Sequence, residues 1–178
     1  MTIDSATLMN KGMEVIEAHW LFDAPYESIE VIVHRESIIH SMVQFTDGSI
    51  KAQLSLPDMR LPIQYAMTYP QRWGNPFAAE LDWSRVKALT FEEVDQDKFP
   101  CLRLAIKAGQ RGSTFPAVLS AADDVAVGLF LSGYIGFLDI ARIIEATLER
   151  HLAVDSPSIE DILSADNWAR DQVKELAL

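Results

Sequence analysis

The chain has 178 residues, enough for one mid-sized domain or two small ones. Its 26 acidic side chains exceed the 15 lysines and arginines, and the net charge of −11 argues against binding to nucleic acid or to anionic membranes. Apolar residues make up 49% of the chain, which excludes disorder as its main state, and no apolar run reaches the roughly 20 residues of a membrane span. With a single cysteine, Cys101, and no secretory signal, the sequence predicts a cytoplasmic, globular protein.

The first predicted element is an amphipathic helix over residues 8–20. Its apolar side carries Leu8, Met9, Met13, Val15, Ile16 and Trp20. Gly12 lies on the same side, where glycine costs about 1 kcal/mol relative to alanine, so we expect another element to pack closely against it. The sequence does not fix where this helix begins, because Asp4, Ser5 and Thr7 are all suitable N-caps.

The middle of the chain predicts short strands. Residues 30–33 are predicted to form a buried strand, and residues 41–54 a hairpin in which Asp47 and Gly48 supply the positive φ values of a tight turn. The alternating pattern of its second strand predicts one buried face. Residues 57–100 are rich in proline and aromatic side chains, for which we expect core packing, with a pocket lining or a subunit contact as the alternatives.

Helices are predicted from Pro100 onward, separated by glycine or Ser-Pro sequences. Their predicted ranges are residues 101–108, ending at Gly109, then 116–131, 137–152 and 159–176, the last with a break near 164–166. The order of elements predicts an α+β fold: a small, mostly antiparallel sheet with helices, followed by a C-terminal helical bundle.

The polar side of the first helix carries the most informative group of side chains. Asn10, Lys11 and Glu14 place an amide, an ammonium and a carboxylate on one face within one turn, and Ser5 lies just upstream, near free helix N–H groups that favour an anion. Such a set can hold a phosphate while Glu14 binds a hard divalent cation. The alternative is an exposed ion pair on a solvated helix face, which spacing alone favours, because most surface helices have such a face.

For the histidines and the cysteine as well, a structural role is the alternative to a functional one. His34 and His40 flank a short loop, where they can act as metal ligands or acid–base groups, or as hydrogen-bonded loop residues. No cysteine or third histidine lies near them, which weakens the zinc interpretation. We predict a structural role for His19 on the apolar side of the first helix, and an inert buried thiol for Cys101.

The opening segment resembles a known family. Residues 2–12 (TIDSATLMNKG) and 14–18 (EVIEA) closely resemble the 1-deoxy-D-xylulose 5-phosphate reductoisomerases. The resemblance continues in order through residues 33–42, 47–49, 52–54, 57–60, 62–63, 89–91 and 99–102, and so covers nearly the whole chain. Members of this family rearrange 1-deoxy-D-xylulose 5-phosphate and reduce it with NADPH to 2-C-methyl-D-erythritol 4-phosphate, in non-mevalonate isoprenoid biosynthesis.

The resemblance implies specific roles for residues of this chain. The implied substrate-binding residues are Ser5, Asn10, Lys11 and Glu14, of which the first three contact mainly the phosphate. Glu14 is also implied as a ligand of Mg²⁺ or Mn²⁺, His40 as a catalytic residue and Met59 as part of the nicotinamide pocket. The family further implies a homodimer, located in the bacterial cytoplasm or, for a plant protein, in the plastid stroma.

The resemblance also implies a domain organisation. Residues 1–100 correspond to part of the catalytic and dimerisation domain, and residues 101–178 to the C-terminal helical bundle. The family's NADPH-binding domain, its Asp-Ser-Glu metal-binding segment and its mobile loop have no counterpart in these residues. We therefore expect a C-terminal portion of the enzyme that is inactive alone, with NADPH bound mainly by the absent domain. The alternatives are a non-catalytic homodimerising module and a truncated relic.

Overall fold

The computed structural model describes residues 1–178 and confirms an α+β protein with seven α-helices and four short strands. The helices are α1 Thr2–Thr7, α2 Met9–Phe22, α3 Arg60–Thr68, α4 Pro100–Arg111, α5 Phe115–Leu131, α6 Phe137–Arg150 and α7 Ile159–Leu176. The strands are β1 Ile32–Val33, β2 Ile39–Gln44, β3 Ile50–Leu54 and β4 Glu92–Glu93, and a 3-10 turn spans Tyr26–Ser28.

The chain divides into two compact units. The helical unit combines Met1–Val31 with Asp95–Leu178, and the strand unit is Ile32–Val94. The first 31 residues therefore pack with the C-terminal helices, whereas the sequence interpretation grouped them with the residues up to 100. The functional division into a catalytic part and a helical bundle remains a prediction.

The centre of the helical unit is α5, which packs against α4, α6 and α7. The largest fully buried apolar side chains of this unit are Met9, Leu102, Phe115, Leu119, Ile140 and Ile144. Burial of each such side chain stabilises the fold by roughly 1.5–3 kcal/mol. The predicted packing of C-terminal helices around one core is confirmed. None of the helices combines the length and the apolar character that crossing a membrane requires.

Two glycines mark where α4 approaches other elements closely. A Cβ atom at Gly12 would overlap the Cβ of Ala105 on α4, so the predicted close packing at Gly12 is confirmed. The predicted end of α4 at Gly109 is wrong, because the helix continues to Gly112, whose φ of 63° ends it. Gly109 instead packs against Tyr26, whose Cζ would lie 2.8 Å from an added Cβ.

The helix predicted over residues 8–20 is α2, and a separate short helix, α1, precedes it. Leu8 has a left-handed backbone (φ 59°, ψ 17°) and separates α1 from α2. Neither helix has a side-chain cap, and the Thr7 hydroxyl instead accepts a hydrogen bond from the Met9 N–H at 3.3 Å. Trp20, predicted on the buried face, is 72% exposed, and Leu21 and Phe22 at the end of α2 are exposed as well.

The last helix, α7, is continuous, and the predicted break near residues 164–166 is wrong. Asp166 pairs with Arg170 one turn later at 2.8 Å, and Arg170 also binds Asp124 of α5 at 2.7 Å. The acidic residue therefore interrupts the apolar pattern without breaking the helix. The helix begins with a capping box between Ser158 and Asp161.

The hairpin formed by β2 and β3 is confirmed, but its turn differs from the prediction. The Phe45 N–H donates to the Ser49 carbonyl at 2.8 Å, which leaves a loop of three residues between them. Of these three, only Gly48 has a positive φ, at 83°, as expected for a type I turn followed by a left-handed residue. Asp47 does not adopt a positive φ, so the predicted two-residue turn is wrong.

The side chains of the strand unit are more exposed than the sequence predicts. Ile32 of β1 is 41% exposed and Ile50 of β3 is 57% exposed. Four of the five aromatic side chains from residue 65 to residue 83, for which we expected core packing, are exposed as well, and only Tyr65 is half-buried; the four are Tyr69, Trp73, Phe77 and Trp83. For the strand side chains the reason is that both sheets have only two strands, and such small sheets are too narrow to bury a face well.

Candidate functional site

Three of the four predicted substrate-binding residues meet on the polar face of α2. The Asn10 amide (Nδ2) donates to Glu14 Oε1 at 2.7 Å, and the Lys11 ammonium (Nζ) donates to Glu14 Oε2 at 2.7 Å. Spacings of three and four residues bring these side chains together on a helix. One carboxylate is therefore held by an amide on one oxygen and by an ammonium on the other.

This polar face can bind an anion and a cation side by side. The Lys11 and Glu14 side chains are 41% and 47% exposed, so water competes with their ion pair and keeps it exchangeable. A phosphate can take over the two donors that now bind Glu14, because both form strong hydrogen bonds to anionic oxygen. The released carboxylate is then available to a hard divalent cation.

Ser5 lies on α1, separated from the polar face of α2 by the left-handed Leu8. Its N–H donates to the Met1 carbonyl at 2.9 Å, and its carbonyl accepts from the Leu8 N–H at 3.3 Å. The Ser5 N–H is therefore not itself free for an anion, because α1 uses it internally. The exposed Ser5 hydroxyl is the group that a ligand can reach.

A cavity of about 590 Å³ adjoins Asn10 in the helical unit, and its lining includes Asp4 of α1 with Asp123 and Asp124 of α5. Asp123 is 8% exposed, and its Oδ1 has no hydrogen-bond partner. Burial, and then the charges of Asp4 and Asp124, raise the pKa of Asp123 to about 7. The sequence interpretation missed this residue, although an aspartate that follows two alanines in an apolar helix was an available signal.

Two further predicted site residues belong to the strand unit. His40 lies at an irregularity of the β2–β3 register, between Ile39 and Ser41, and its Nε2 lies 3.0 Å from the Ser55 carbonyl oxygen. Such irregularities are common next to active sites. Met59 directly precedes α3 and is 68% exposed, which leaves its flexible side chain available for apolar contact. The roles of both residues remain predictions.

The other candidate residues have structural partners. His34 Nδ1 lies 2.9 Å from the Thr90 carbonyl oxygen, and His19 Nδ1 lies 2.8 Å from that of Ala24. Cys101 is buried, and burial raises the pKa of its thiol to about 11, so it is the inert thiol that we predicted. The chain contains no group of three His, Cys, Asp or Glu side chains placed to hold a metal ion.

Family models match both units of the chain. The model of the DXP reductoisomerase C-terminal domain matches residues 54–172, more than half of the chain. The model of the 1-deoxy-D-xylulose 5-phosphate reductoisomerase C-terminal domain matches residues 1–22, which contain α1 and α2. The fold and these two matches thus define the C-terminal region of a reductoisomerase. The chain belongs to the 1-deoxy-D-xylulose 5-phosphate reductoisomerase family, as its sequence indicated.

Individual relatives agree with the family models. The chain is 58% identical to the 1-deoxy-D-xylulose 5-phosphate reductoisomerases of Acetivibrio thermocellus and Geobacillus kaustophilus, over 99% of its own length and 46% of theirs. The Zymomonas mobilis enzyme, solved in complex with NADPH, superimposes with a TM-score of 0.92 at 47% identity, over 98% of this chain and 46% of that one. A reductoisomerase solved with fosmidomycin and magnesium gives 0.87 at 38% identity, with the same coverage. The chain therefore spans about half the length of its relatives.

Proposed function

We propose that the chain forms the substrate-phosphate and metal-binding part of a 1-deoxy-D-xylulose 5-phosphate reductoisomerase. The observation that carries this proposal is the pairing of Asn10 and Lys11 with the two oxygens of Glu14, at the residues that match the family's opening motif. The complete enzyme rearranges 1-deoxy-D-xylulose 5-phosphate and reduces it with NADPH to 2-C-methyl-D-erythritol 4-phosphate. The relatives named above come from bacteria, which favours the cytoplasm over the plastid stroma as the location.

Ser5, Asn10 and Lys11 bind the anion in this proposal, and Glu14 binds the cation. Lys11 supplies positive charge to the phosphate, while Asn10 and the Ser5 hydroxyl supply directed donors. Holding the phosphate orients the reacting carbons, since binding energy remote from the reaction fixes the substrate's geometry. When Asn10 and Lys11 turn to the phosphate, Glu14 loses both of its donors, so phosphate binding favours cation binding at the carboxylate.

Glu14 fits the role of one ligand in a divalent metal site. A half-exposed carboxylate is a suitable oxygen donor for Mg²⁺ or Mn²⁺, and Glu14 does not belong to a group of three or more side chains placed to hold a metal ion. When bound, the cation polarises the substrate carbonyl and stabilises negative charge on oxygen. With one protein ligand, we expect metal binding by this chain to depend on the substrate.

The remaining roles belong to the strand unit and to the rest of the enzyme. We place His40 near the reacting groups as a catalytic residue and Met59 against the nicotinamide. NADPH is bound mainly by residues outside this chain. The 178-residue chain alone is therefore expected to show no NADPH-dependent conversion of the substrate, and measurable turnover by the purified chain would contradict this.

Titration calorimetry tests the binding proposal. Mn²⁺ should bind in the presence of 1-deoxy-D-xylulose 5-phosphate and much more weakly in its absence. Lys11→Ala should weaken substrate binding roughly 10- to 100-fold, the effect of losing a hydrogen bond to a charged group. Lys107→Ala, which removes an exposed lysine of α4, is the matched control. Equal binding to the two variants would remove Lys11 from the site.

Glu14→Gln separates the metal from the phosphate. The amide keeps the size of the side chain but is a weak ligand for a hard cation, so Mn²⁺ binding should be lost. Substrate binding measured without metal should persist, because its donors remain. In the complete enzyme, an unchanged metal requirement in this variant would exclude Glu14 as a ligand.

A second candidate function is a non-catalytic, homodimerising module. The observation that favours it is the exposure of apolar side chains on the β2–β3 hairpin, where Val43 is 58% and Ile50 is 57% exposed, beside unpaired strand edges. Light scattering over a wide concentration range tests it. A monomer at every concentration would exclude the module, whereas a dimer that binds neither Mn²⁺ nor substrate would favour it.

A further inference from the structure

Asp123 is a buried carboxyl group next to the residues that carry the candidate site. It lies on α5, is 8% exposed, and lines a cavity of about 590 Å³ together with Asp4 of α1 and Asn10 of α2. Its Oδ1 has no hydrogen-bond partner in the protein. A buried carboxylate without donors is unfavourable, whereas a neutral carboxyl group tolerates the same environment.

The groups around Asp123 disfavour its ionisation. Six titratable or charged groups line the cavity of Asp123 or interact with it electrostatically. They are the Met1 ammonium, Asp4, Glu17 of α2, Cys101 of α4, Asp124 of α5 and Arg170 of α7. The two cations among them are already paired, the ammonium with Asp4 and the guanidinium with Asp124. Burial and the neighbouring carboxylates together raise the pKa of Asp123 to about 7.

We propose that Asp123 is a positioning residue for the α1–α2 junction, which it holds in place when neutral and loosens when ionised. The role in substrate binding rests on the proposed function, in which Ser5 and Asn10 bind the phosphate. The six-residue helix α1 is too short to be stable alone, and Leu8 interrupts its continuity with α2. A charged Asp123 repels Asp4, the neighbour of Ser5, and draws water into the cavity, and both effects displace Ser5 from Asn10.

Hydrogen exchange of the junction amides tests this role. At the junction the Leu8 N–H donates to the Ser5 carbonyl and the Gly12 N–H to the Leu8 carbonyl, while the Ser5 N–H donates to the Met1 carbonyl at the start of α1. Protection of the three amides therefore reports opening of the α1–α2 segment. After correction for intrinsic exchange rates, the equilibrium constant for opening of the junction in the unaltered chain should increase by up to about tenfold per pH unit between about pH 5 and pH 7. The reason is that Asp123 regains an ordinary pKa when the junction is open. In Asp123→Asn the opening should not change with pH over this range.

Two further variants make the test specific. Asp124→Asn removes the weaker of the two opposing carboxylates and its ion pair with Arg170, so the pH dependence should persist but end at a lower pH than in the unaltered chain. Asp4→Asn removes the carboxylate that most opposes the charge on Asp123, so the increase in junction opening with pH should end at a lower pH. Circular dichroism verifies that each variant is folded. The same pH dependence in Asp123→Asn and in the unaltered chain, or none in either, would overturn the proposal.

Sulfate binding links the junction to the anion site, since sulfate does not titrate in this range. Sulfate should bind the unaltered chain more weakly at about pH 7 than at pH 5, and Asp123→Asn equally at both. The same pH dependence of sulfate affinity in both proteins would count against the positioning role. If sulfate binds neither protein at either pH, the proposed function fails, while the exchange measurement still decides the role of Asp123.

Discussion

Single side chains decide how closely the helices of this protein approach one another. Gly12 brings α2 against Ala105 of α4 with no room for a methyl group, whereas Gly128, inside α5, has open space around the position of a Cβ atom. The same substitution at these two glycines should therefore have opposite effects on stability. Packing decides the result at Gly12, and backbone entropy decides it at Gly128.

Gly12→Ala should destabilise the helical unit by about 1–3 kcal/mol, the usual cost of overpacking. Gly128→Ala should stabilise it by about 0.5–1 kcal/mol, because alanine has the higher helix propensity. Urea unfolding followed by circular dichroism measures both. The double variant Gly12→Ala, Ala105→Gly restores the space and should recover most of the loss. An unaffected Gly12→Ala protein would mean that α2 and α4 move apart freely.

His151 should make the helical unit sensitive to acid. Its side chain is 8% exposed, its Nε2 lies 2.7 Å from the Thr114 hydroxyl, and burial, followed by the charge of Arg111, lowers its pKa. Because the folded pKa lies below the unfolded value, the unfolded chain binds more protons, and stability contributed by neutral His151 is lost as the pH falls below about 6.5.

His151→Gln, which does not titrate, tests this sensitivity. The variant should lose about 1 kcal/mol at neutral pH through the altered hydrogen bond, but show a smaller further loss at about pH 5 than the unaltered chain. Thermal unfolding at the two pH values measures the difference. The exposed His40, changed to Gln, serves as the control. If the His151→Gln protein loses as much stability on acidification as the unaltered chain, groups other than His151 cause the effect.

The elements that the sequence predicts best are those that pack against other elements of this chain. The C-terminal helices match their apolar periodicity because one core buries all of them, and the grouping of Asn10, Lys11 and Glu14 follows from helical spacing. Errors arise where a long-range contact overrides a local signal, as at Gly109, which packs against Tyr26 instead of ending α4. The position of Asp123 in an apolar helix indicated a buried carboxyl group, but its proximity to Asp4 could not be predicted, because the two residues are remote in sequence.

The β2–β3 hairpin depends on its turn. Gly48→Ala should destabilise the hairpin by about 1 kcal/mol, because Gly48 has a φ of 83°, which an L side chain adopts only with strain. Gly74→Ala, at a glycine without positive φ and with open space, should have little effect. Hydrogen exchange of the Phe45 and Gly48 amides measures the local change. Equal exchange in both variants would contradict the described turn.

On the scale of the whole molecule, the two units differ in how they are stabilised. The helical unit has a continuous core that extends from α2 to α7, whereas Ile38 is the one buried apolar side chain of the strand unit. Local stability follows the density of buried apolar contacts. The strand unit should therefore open without unfolding the helical unit.

Hydrogen exchange read by mass spectrometry tests this difference. Amides of β2 and β3 should exchange at least about tenfold faster than those of α5, and should lose their protection at lower urea concentration. Peptides from α6 provide a second helical reference. A single urea midpoint for strand and helix peptides would show that the units unfold together, as in a two-state protein.

The placement of the tryptophans has a consequence for spectroscopy. Three of the four indole rings, those of Trp20, Trp73 and Trp83, are more than 60% exposed, while Trp168 is half-buried with its ring 5.1 Å from that of His151. Most of the intrinsic emission therefore already comes from hydrated indoles in the folded state. Only Trp168 can shift to the red on unfolding, which makes this one fluorophore an intrinsic reporter of the helical core and, through its imidazole neighbour, of pH.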